Sequence, residues 1–188
     1  MTTSYEITPL NDFLSVFPQE HVSEVLSAFS CKRDKDVESF LKEKAVVQEK
    51  KHISRTYLIF STGPDSELLA YFTIAVSSMN MTSLVCSKEL WKKMNVNEDV
   101  AQSYLIGQMG KRDGSIPGLG KLALSSAIEL IKEANKRVGC RVIRVDCKPS
   151  LIKYYADNGF GLVGQNKDGD LNQMIRIIDA QGAVPSSG

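Results

Sequence analysis

The feature that most constrains this chain is a glycine-rich turn placed directly before its best helix. Residues 113–127 read DGSIPGLGKLALSSA, with three glycines and one proline in the first eight positions. The stretch 101–110 before the turn is typical of a strand, 119–139 of an amphipathic helix and 140–147 of an alternating strand. Strand, long helix and strand in this order predict a right-handed βαβ crossover.

The helix after the turn should present one apolar face to a core. Gly139 stands where a C-terminal stop belongs. The residues predicted to form its apolar stripe are Leu119, Leu122, Ala123, Ser126, Ala127, Leu130, Ile131, Ala134 and Val138.

The elements before the turn are two amphipathic helices followed by a hairpin. Residues 17–30 and 34–51 each place apolar side chains at helical spacing, so the two helices come first. Residues 55–61 and 67–78 are rich in aromatic and β-branched residues and are separated by TGPD, which predicts the hairpin.

The remaining stretches complete the fold class. Residues 87–94 fit a short helix, 150–159 a helix ended by Asn-Gly, and 160–166 with 171–179 a last hairpin. Hairpins with one parallel crossover indicate the α/β (α+β) class, a mixed and mostly antiparallel twisted sheet with helices on both faces. The inward residues expected on the short helix are Leu90, Trp91 and Met94.

Composition narrows the classes of function. The 188 residues are 43% hydrophobic with a formal net charge of +1, so we expect one domain over residues 1–179 and no overall attraction to nucleic acid or anionic membranes. Residues 180–188 are typical of a disordered tail. No membrane span or signal peptide is visible, which makes the cytoplasm the expected location.

Metal binding is not expected from the cysteines and histidines. They form no CxxC pair or His ladder, and we expect the thiols to be reduced, with Cys140 and Cys147 at the two ends of one strand. The residues in question are Cys31, Cys86, Cys140, Cys147, His21 and His52.

Two interpretations of the glycine-rich turn are open on spacing alone. The turn can carry glycine for conformational reasons only, or it can bring free backbone N–H groups at a helix start toward a phosphate. Gly118 and Gly120 would let the backbone approach such a ligand, and Lys121 adds positive charge at the rim. Gly-Lys-Ser/Thr of a P-loop is absent, and the acidic residue of a dinucleotide fingerprint is not in its usual place.

The turn resembles that of the GNAT superfamily of N-acetyltransferases, in which Q/R-x-x-G-x-G/A between a strand and a long helix binds the pyrophosphate of acetyl-CoA. The match here is SIPGLG, with Ser115 where Gln or Arg is usual. YLIGQMG occupies the position of the strand that pairs with the pantetheine arm in the family. Gly107 and Gly110 would keep that pairing unobstructed. The resemblance implies that acetyl-CoA contacts Ile106, Gln108, Met109, Gly110, Ser115, Ile116, Gly118, Leu119, Gly120 and Lys121.

A second GNAT-like motif lies about 35 residues downstream. RVDCKPSLIKYYADNGF resembles the family's strand and FYEKxGF helix, with Lys148 or its neighbours where an Asn is usual. The resemblance implies that Tyr155 protonates the departing coenzyme A thiolate; the alternative is a core aromatic. It also implies acyl transfer to a primary amine by direct attack.

The general base is open. The family's usual Glu on the preceding strand is absent, which leaves Asp113, Glu67 or water. His52, at the end of a Lys-rich helix, is better interpreted as a solvated cap residue.

The N-terminal half resembles the acetyltransferase toxins of toxin-antitoxin modules, which acetylate aminoacyl-tRNA. The matching stretches are FSCKRDKDVESFLKEKAVVQEKKHISRTYLIF and AYFTIAV. A basic lip from KEKAVVQEKK, KKHISR and GKRDG would suit tRNA, although an ordinary solvated face explains these charges too. Nucleic acid is a partner only under this interpretation. A small-molecule or protein amine, an inactive acyl-CoA-binding module and a homodimer are alternatives left open.

Overall fold

The computed structural model describes residues 4–64, 66–94, 99–166 and 168–178. The chain divides into two compact units: unit 1 comprises Met1–Val76 and Leu105–Ile131, and unit 2 comprises Ser77–Tyr104 and Lys132–Gly188. The predicted tail at 180–188 lies outside the described residues, and the single domain over 1–179 stays a prediction.

Seven strands and seven α-helices are described. The strands are β1 (Tyr5–Pro9), β2 (Arg55–Ser61), β3 (Leu68–Asn80), β4 (Val100–Lys111), β5 (Val142–Cys147), β6 (Gly161–Gln165) and β7 (Asn172–Ile177). The helices are α1 (Leu10–Val16), α2 (Gln19–Ser27), α3 (Lys35–Ser39), α4 (Ala45–Lys50), α5 (Lys88–Met94), α6 (Leu119–Asn135) and α7 (Ile152–Ala156).

The strands form a seven-stranded sheet in the order β1-β2-β3-β4-β5-β7-β6. β1 with β2, β2 with β3, β5 with β7 and β6 with β7 are antiparallel pairs. The predicted α/β class with a mostly antiparallel sheet is therefore confirmed, as are both hairpins. The βαβ crossover stays a prediction. No helix in the described part of the chain combines the length and apolar character that a membrane crossing requires.

The N-terminal region differs from the sequence prediction in two places. A strand and a short helix, β1 and α1, precede the two amphipathic helices that we expected first. The second of these helices is not continuous, because a π-helical turn at Phe40–Lys44 separates α3 from α4. Phe40 and Leu41 in this turn are both buried, so the turn keeps two adjacent apolar side chains in the core.

Helix α6 ends four residues before the predicted stop at Gly139. Val138 is 68% exposed and so gains nothing from a longer helix. Instead, the side chain of Asn135 accepts the N–H of Cys140 at 2.9 Å, and the Tyr104 hydroxyl donates to the Val138 carbonyl at 2.8 Å. The buried residues of α6 are Leu119, Ala123, Leu124, Ala127, Ile128 and Ile131, so the predicted stripe missed Leu124 and Ile128.

The core of unit 1 is built around Tyr71. This side chain is fully buried, and its hydroxyl donates to the Val37 carbonyl at 2.6 Å. Its ring packs edge-on against Phe29, with the centroids 5.5 Å apart, and stacks with Phe40 at 6.4 Å. The backbone of Gly110 on β4 lies against this cluster, since a Cβ added there would overlap Val37 and come within 3.2 Å of the Tyr71 ring.

Unit 2 has its own apolar cluster, which includes Met79, Met94, Val142, Val163 and Ile175. The expected inward positions of helix α5 hold for two of three residues: Met94 is buried and Leu90 packs against the cluster. The prediction for Trp91 is wrong, because this side chain is 41% exposed.

The cysteines are free thiols, as predicted. Cys147 ends β5 and is buried beside Met174, with 3.7 Å between the sulfur atoms. Cys140 lies before β5 and is half-buried, so the prediction that it begins the strand is wrong.

A carboxylate fixes the turn between α2 and α3. Glu38 accepts the N–H of Cys31 at 2.7 Å and the ammonium of Lys42 at 3.0 Å. These contacts, that of the Cys31 N–H foremost, lower the pKa of Glu38 to about 2. The turn is therefore held by an interaction that requires the ionised carboxylate.

We expect Gly110→Ala to lower the free energy of unfolding by about 2 kcal/mol, because the added Cβ would overlap Val37. Urea denaturation measures the loss, and Val37→Ala in the same chain should restore part of it. Gly139→Ala is the matched control, since a Cβ there meets no atom within 4 Å. Equal stability of Gly110→Ala and wild type would contradict this packing.

We expect Glu38 to make stability depend on acid pH. Its pKa is lower in the folded protein than the ordinary value of 4.5, so its contribution is complete above pH 4.5 and is lost as the pH falls toward 2. Urea midpoints between pH 2.5 and pH 6 should therefore vary less for Glu38→Gln than for wild type. Glu133→Gln, which removes an exposed carboxylate paired with Lys136, should keep the wild-type dependence.

Candidate functional site

The glycine-rich turn in unit 1 joins β4 to α6 and contains two left-handed glycines. Gly114 has a φ of +70° and Gly118 a φ of +94°. The Gly118 carbonyl accepts the Leu122 N–H at 2.9 Å, which makes Gly118 the residue at which the helical hydrogen bonds begin. The N–H groups of the next three residues therefore have no acceptor within the helix.

The turn has room for a ligand and an unused donor. A Cβ built on Gly118 or Gly114 meets no atom within 4 Å, so open space lies beside this backbone. The Ser115 hydroxyl is buried and has no hydrogen-bond partner among the described residues. The first turn of α6 contains no acidic side chain. Free N–H groups, the positive end of a 17-residue helix and an unpaired hydroxyl together suit an anion such as a phosphate.

Ser115 is the residue that departs from the GNAT pattern, yet the structure gives it a polar role. Its own N–H closes a turn onto the Arg112 carbonyl at 3.3 Å, which leaves the hydroxyl as its unsatisfied group. An unpaired buried hydroxyl is unfavourable by about 1–3 kcal/mol, so a ligand that accepts from it gains this interaction.

The strand before the turn has fewer free groups than the sequence suggested. The N–H of Gln108 donates to Thr73 Oγ1 at 2.8 Å, so this predicted contact is already used. Gly107 and Gly110 do not serve to clear a path, because their Cβ positions lie against Thr73 and against Val37 with Tyr71. In a strand the Cβ projects out of the sheet, whereas strand pairing occurs within it, and these glycines therefore reflect packing. Ile106 is buried; Met109 is half-buried.

Asp113, one of the predicted bases, is held by backbone and side-chain donors of unit 1. Its carboxylate accepts the Ser30 hydroxyl at 2.7 Å and the Lys32 N–H at 3.1 Å. These hydrogen bonds, that of Ser30 first, lower its pKa, which makes the carboxylate a weaker base. The sequence did not identify Ser30 and Lys32; the FSCK segment was the available signal.

Glu67, the other side chain predicted as a base, is also paired, and so is His52. Glu67 lies 2.8 Å from Arg112 Nη1 with more than half of its side chain exposed. His52 follows α4 in a left-handed conformation with a φ of +57°, and its Nδ1 lies 2.8 Å from Arg55 Nη2. The interpretation of His52 as an exposed residue at a helix end is confirmed.

Tyr155 belongs to unit 2, on helix α7. It is 6% exposed and its ring packs edge-on against Tyr154 and Phe160, with centroid distances of 5.1 Å and 5.7 Å. Burial, with smaller contributions from Tyr154 and Cys147, raises the pKa of the Tyr155 phenol. The phenol is therefore protonated at neutral pH, as a proton donor must be.

The local chain explains why Tyr155 is fixed. A 3₁₀ turn at Pro149–Leu151 leads into α7, and the Tyr155 carbonyl accepts the N–H of Phe160 at 3.1 Å. Gly159, with a φ of +85°, ends the helix as the Asn-Gly pair predicts. The neighbouring Tyr154 hydroxyl is buried without a partner among the described residues.

The predicted site residues thus fall into two groups, one in each unit. All the predicted acetyl-CoA contacts lie in unit 1, and Tyr155 lies in unit 2. In the described ranges, no three His, Cys, Asp or Glu side chains are arranged to hold a metal ion.

Comparison with known proteins yields matches by structure and none by sequence. No protein-family model matches the chain, and no curated protein matches it. A tyrosine-to-phenylalanine mutant of KacT matches with a TM-score of 0.74 and 20% identity, over 92% of this chain and 94% of that one. AtaT complexed with acetyl-methionyl-tRNA matches with a TM-score of 0.71 and 19% identity, over 90% and 94%.

A third structure, AtaTR bound with acetyl-CoA, matches with a TM-score of 0.70 and 22% identity, over 94% of this chain and 95% of that one. The matches extend over nearly the whole of each chain, including the N-terminal half that resembled the toxins in sequence. The fold of this chain is therefore the GNAT fold, shared with KacT and AtaT.

Proposed function

We propose that this protein is an N-acetyltransferase that moves the acetyl group of acetyl-CoA to the amino group of an aminoacyl-tRNA. The observation that carries the acetyl-transfer part is the glycine-rich turn, where open space, free N–H groups and an unpaired Ser115 hydroxyl coincide. The acceptor is proposed from the fold, which is that of AtaT in complex with acetyl-methionyl-tRNA.

The turn supplies the donors for the coenzyme A diphosphate. The backbone N–H groups of Ile116, Gly118, Leu119, Gly120 and Lys121 and the Ser115 hydroxyl donate to phosphate oxygens. Ser115 replaces the Gln or Arg of other GNAT enzymes with a shorter donor. Pantetheine pairs with the backbone of β4 through Ile106, Met109 and Gly110, without the Gln108 N–H that Thr73 already accepts.

In the reaction, the neutral amine attacks the thioester carbonyl carbon. A C–N bond forms, the C–S bond breaks, and the Tyr155 hydroxyl donates its proton to the departing sulfur. The proton lost by the amine goes to water, because Asp113 is held by Ser30 and Lys32 and Glu67 is paired with Arg112. Water then restores the proton of Tyr155, so no net charge remains on the protein.

A second candidate, acetylation of a small-molecule or protein amine, is favoured by charge. The net charge is only +1, and cations of the expected basic lip are paired within the protein: Lys42 with Glu38, Arg55 with Glu49 and Arg112 with Glu67. Binding to tRNA gains affinity from each cation that contacts a phosphate, and paired cations contribute less to it. The two candidates share the donor and Tyr155 and differ only in the acceptor.

We expect Ser115→Ala to change stability and binding in opposite directions. Without ligand, the variant should be more stable by about 1 kcal/mol, because a buried unpaired hydroxyl is removed. With acetyl-CoA, its thermal shift should be smaller than that of wild type, because a phosphate donor is lost. Ser125→Ala on α6 is the control, because the Ser125 hydroxyl is bonded to the Leu122 carbonyl. Absence of any shift in wild type would refute acetyl-CoA binding.

We expect Tyr155→Phe to lower the acetylation rate about 100-fold with little change in acetyl-CoA affinity, since a general acid contributes 10²–10⁴. The rate is measured with charged tRNA and, in parallel, as thiol release over a panel of amines. Acetylation of aminoacyl-tRNA supports the proposal, whereas acetylation of other amines alone supports the second candidate. A thermal shift without turnover would indicate an inactive acyl-CoA-binding module, and full activity of Tyr155→Phe would exclude Tyr155 as the acid.

A further inference from the structure

Asp113 connects the glycine-rich turn to a distant part of unit 1. Its carboxylate accepts the Ser30 hydroxyl at 2.7 Å and the Lys32 N–H at 3.1 Å, and its own N–H donates to the Ser30 carbonyl at 2.8 Å. Two residues more than 80 positions apart in sequence therefore bond in both directions. Side chain and backbone both take part, which fixes the orientation of the turn as well as its distance.

The segment that receives Asp113 is itself held in place on both sides. The Cys31 N–H donates to Glu38 at 2.7 Å, and the Asp34 N–H donates to the Cys31 carbonyl at 3.1 Å. Phe29, which precedes it, is buried against Tyr71. Asp113 thus attaches the turn to a segment that is itself fixed against the core of unit 1. The position of the turn is therefore set relative to that core.

A carboxylate beside an anion-binding turn needs an explanation, because its charge opposes the binding of phosphate. Between Asp113 and α6 lie five residues, two of them glycines with positive φ, whose backbone has many conformations when it is not held. One end of this segment is fixed by the start of the helix. The other end is fixed by Asp113, so the directions of the free N–H groups depend on this carboxylate.

We infer that Asp113 is a positioning residue for acetyl-CoA binding, and that Ser30 and the Lys32 backbone are its anchor. The inference rests on the proposed function. It assigns a role to the Phe-Ser-Cys segment at Phe29–Cys31 that the sequence resemblance left without one. It also replaces the interpretation of Asp113 as a general base, because a carboxylate bonded to two donors holds the turn rather than removing a proton.

Calorimetric titration of the full chain with acetyl-CoA tests this role. Asp113→Ala should raise the Kd about tenfold and Ser30→Ala about threefold, the range expected when one or two hydrogen bonds that order a site are lost. The double variant should bind no more weakly than Asp113→Ala, because both changes remove the same anchor. Ser30→Thr keeps the hydroxyl and should restore most of the affinity. Asp12→Ala, an exposed carboxylate on α1, is the charge control.

The sign of the change separates positioning from simple charge repulsion. If the carboxylate acted only through its charge, Asp113→Asn and Asp113→Ala would bind acetyl-CoA more tightly than wild type, and that result would overturn the inference. An unchanged Kd would overturn it too. Amide hydrogen exchange at Gly114, Ser115, Ile116 and Gly118 gives a second readout that needs no ligand: it should accelerate in Asp113→Ala while exchange in β2 is unchanged.

The two proposals can fail separately. If wild type does not bind acetyl-CoA, the proposed function is wrong, and the exchange measurement alone decides whether Asp113 orders the turn. If wild type binds and Asp113→Ala binds equally well, only the role of Asp113 is wrong. Uniformly faster exchange across unit 1 would show that Asp113 supports the fold in general, and would also overturn the positioning role.

Discussion

The close approach of helix α3 to strand β4 is the constraint on which the site in unit 1 depends. Val37 and the Tyr71 ring leave space for a glycine at position 110 and for nothing larger. Tyr71 can be fully buried there because its hydroxyl bonds to the Val37 carbonyl at 2.6 Å. An unbonded phenol in that place would destabilise the core. The hydrogen bond of Tyr71 and the absence of a side chain at Gly110 therefore together fix where β4 ends. The glycine-rich turn begins from that fixed point.

Hydrogen bonds to two carboxylates also hold the turn after α2. The turn after α2 has consecutive N–H groups, on Cys31 and Lys32, and each is accepted by a carboxylate, Glu38 or Asp113. One carboxylate comes from the neighbouring helix and the other from the glycine-rich turn. The same short segment is therefore bonded to the helical part of unit 1 and to the candidate cofactor site. Both carboxylates have lowered pKa values: that of Glu38 chiefly through the Cys31 N–H, and that of Asp113 through the Ser30 hydroxyl first and the Lys32 N–H second.

Two buried tyrosines of this chain differ in the contacts that hold them. Tyr71 is bonded and structural, whereas the Tyr155 phenol is packed between Tyr154 and Phe160 with a raised pKa. Burial keeps the proton on both phenols at neutral pH, but only a phenol at the reacting atoms can deliver it.

The sequence by itself determined the features that depend on neighbours in the chain. The two hairpins, the start of α6 behind Gly118 and the Asn-Gly stop after Tyr155 were all predictable, because turn chemistry and side-chain periodicity are local. The helix boundaries were predicted less well where tertiary contacts decide them, as at Asn135 and at the π-helical turn. The resemblance to GNAT enzymes added the fold, which the structure confirms, and the site residues, which remain proposals.

Only the tertiary structure decided what several of these residues do. Gly110 is required by Val37 and Tyr71, Asp113 is bonded to Ser30, and the Gln108 N–H is taken by Thr73. Each of these contacts joins residues between 35 and 83 positions apart. The glycine-rich turn is an example of both. Its sequence determined that free N–H groups would exist at a helix start. Packing against the distant α2–α3 segment decided how they are held, since such contacts arise only when the chain has folded.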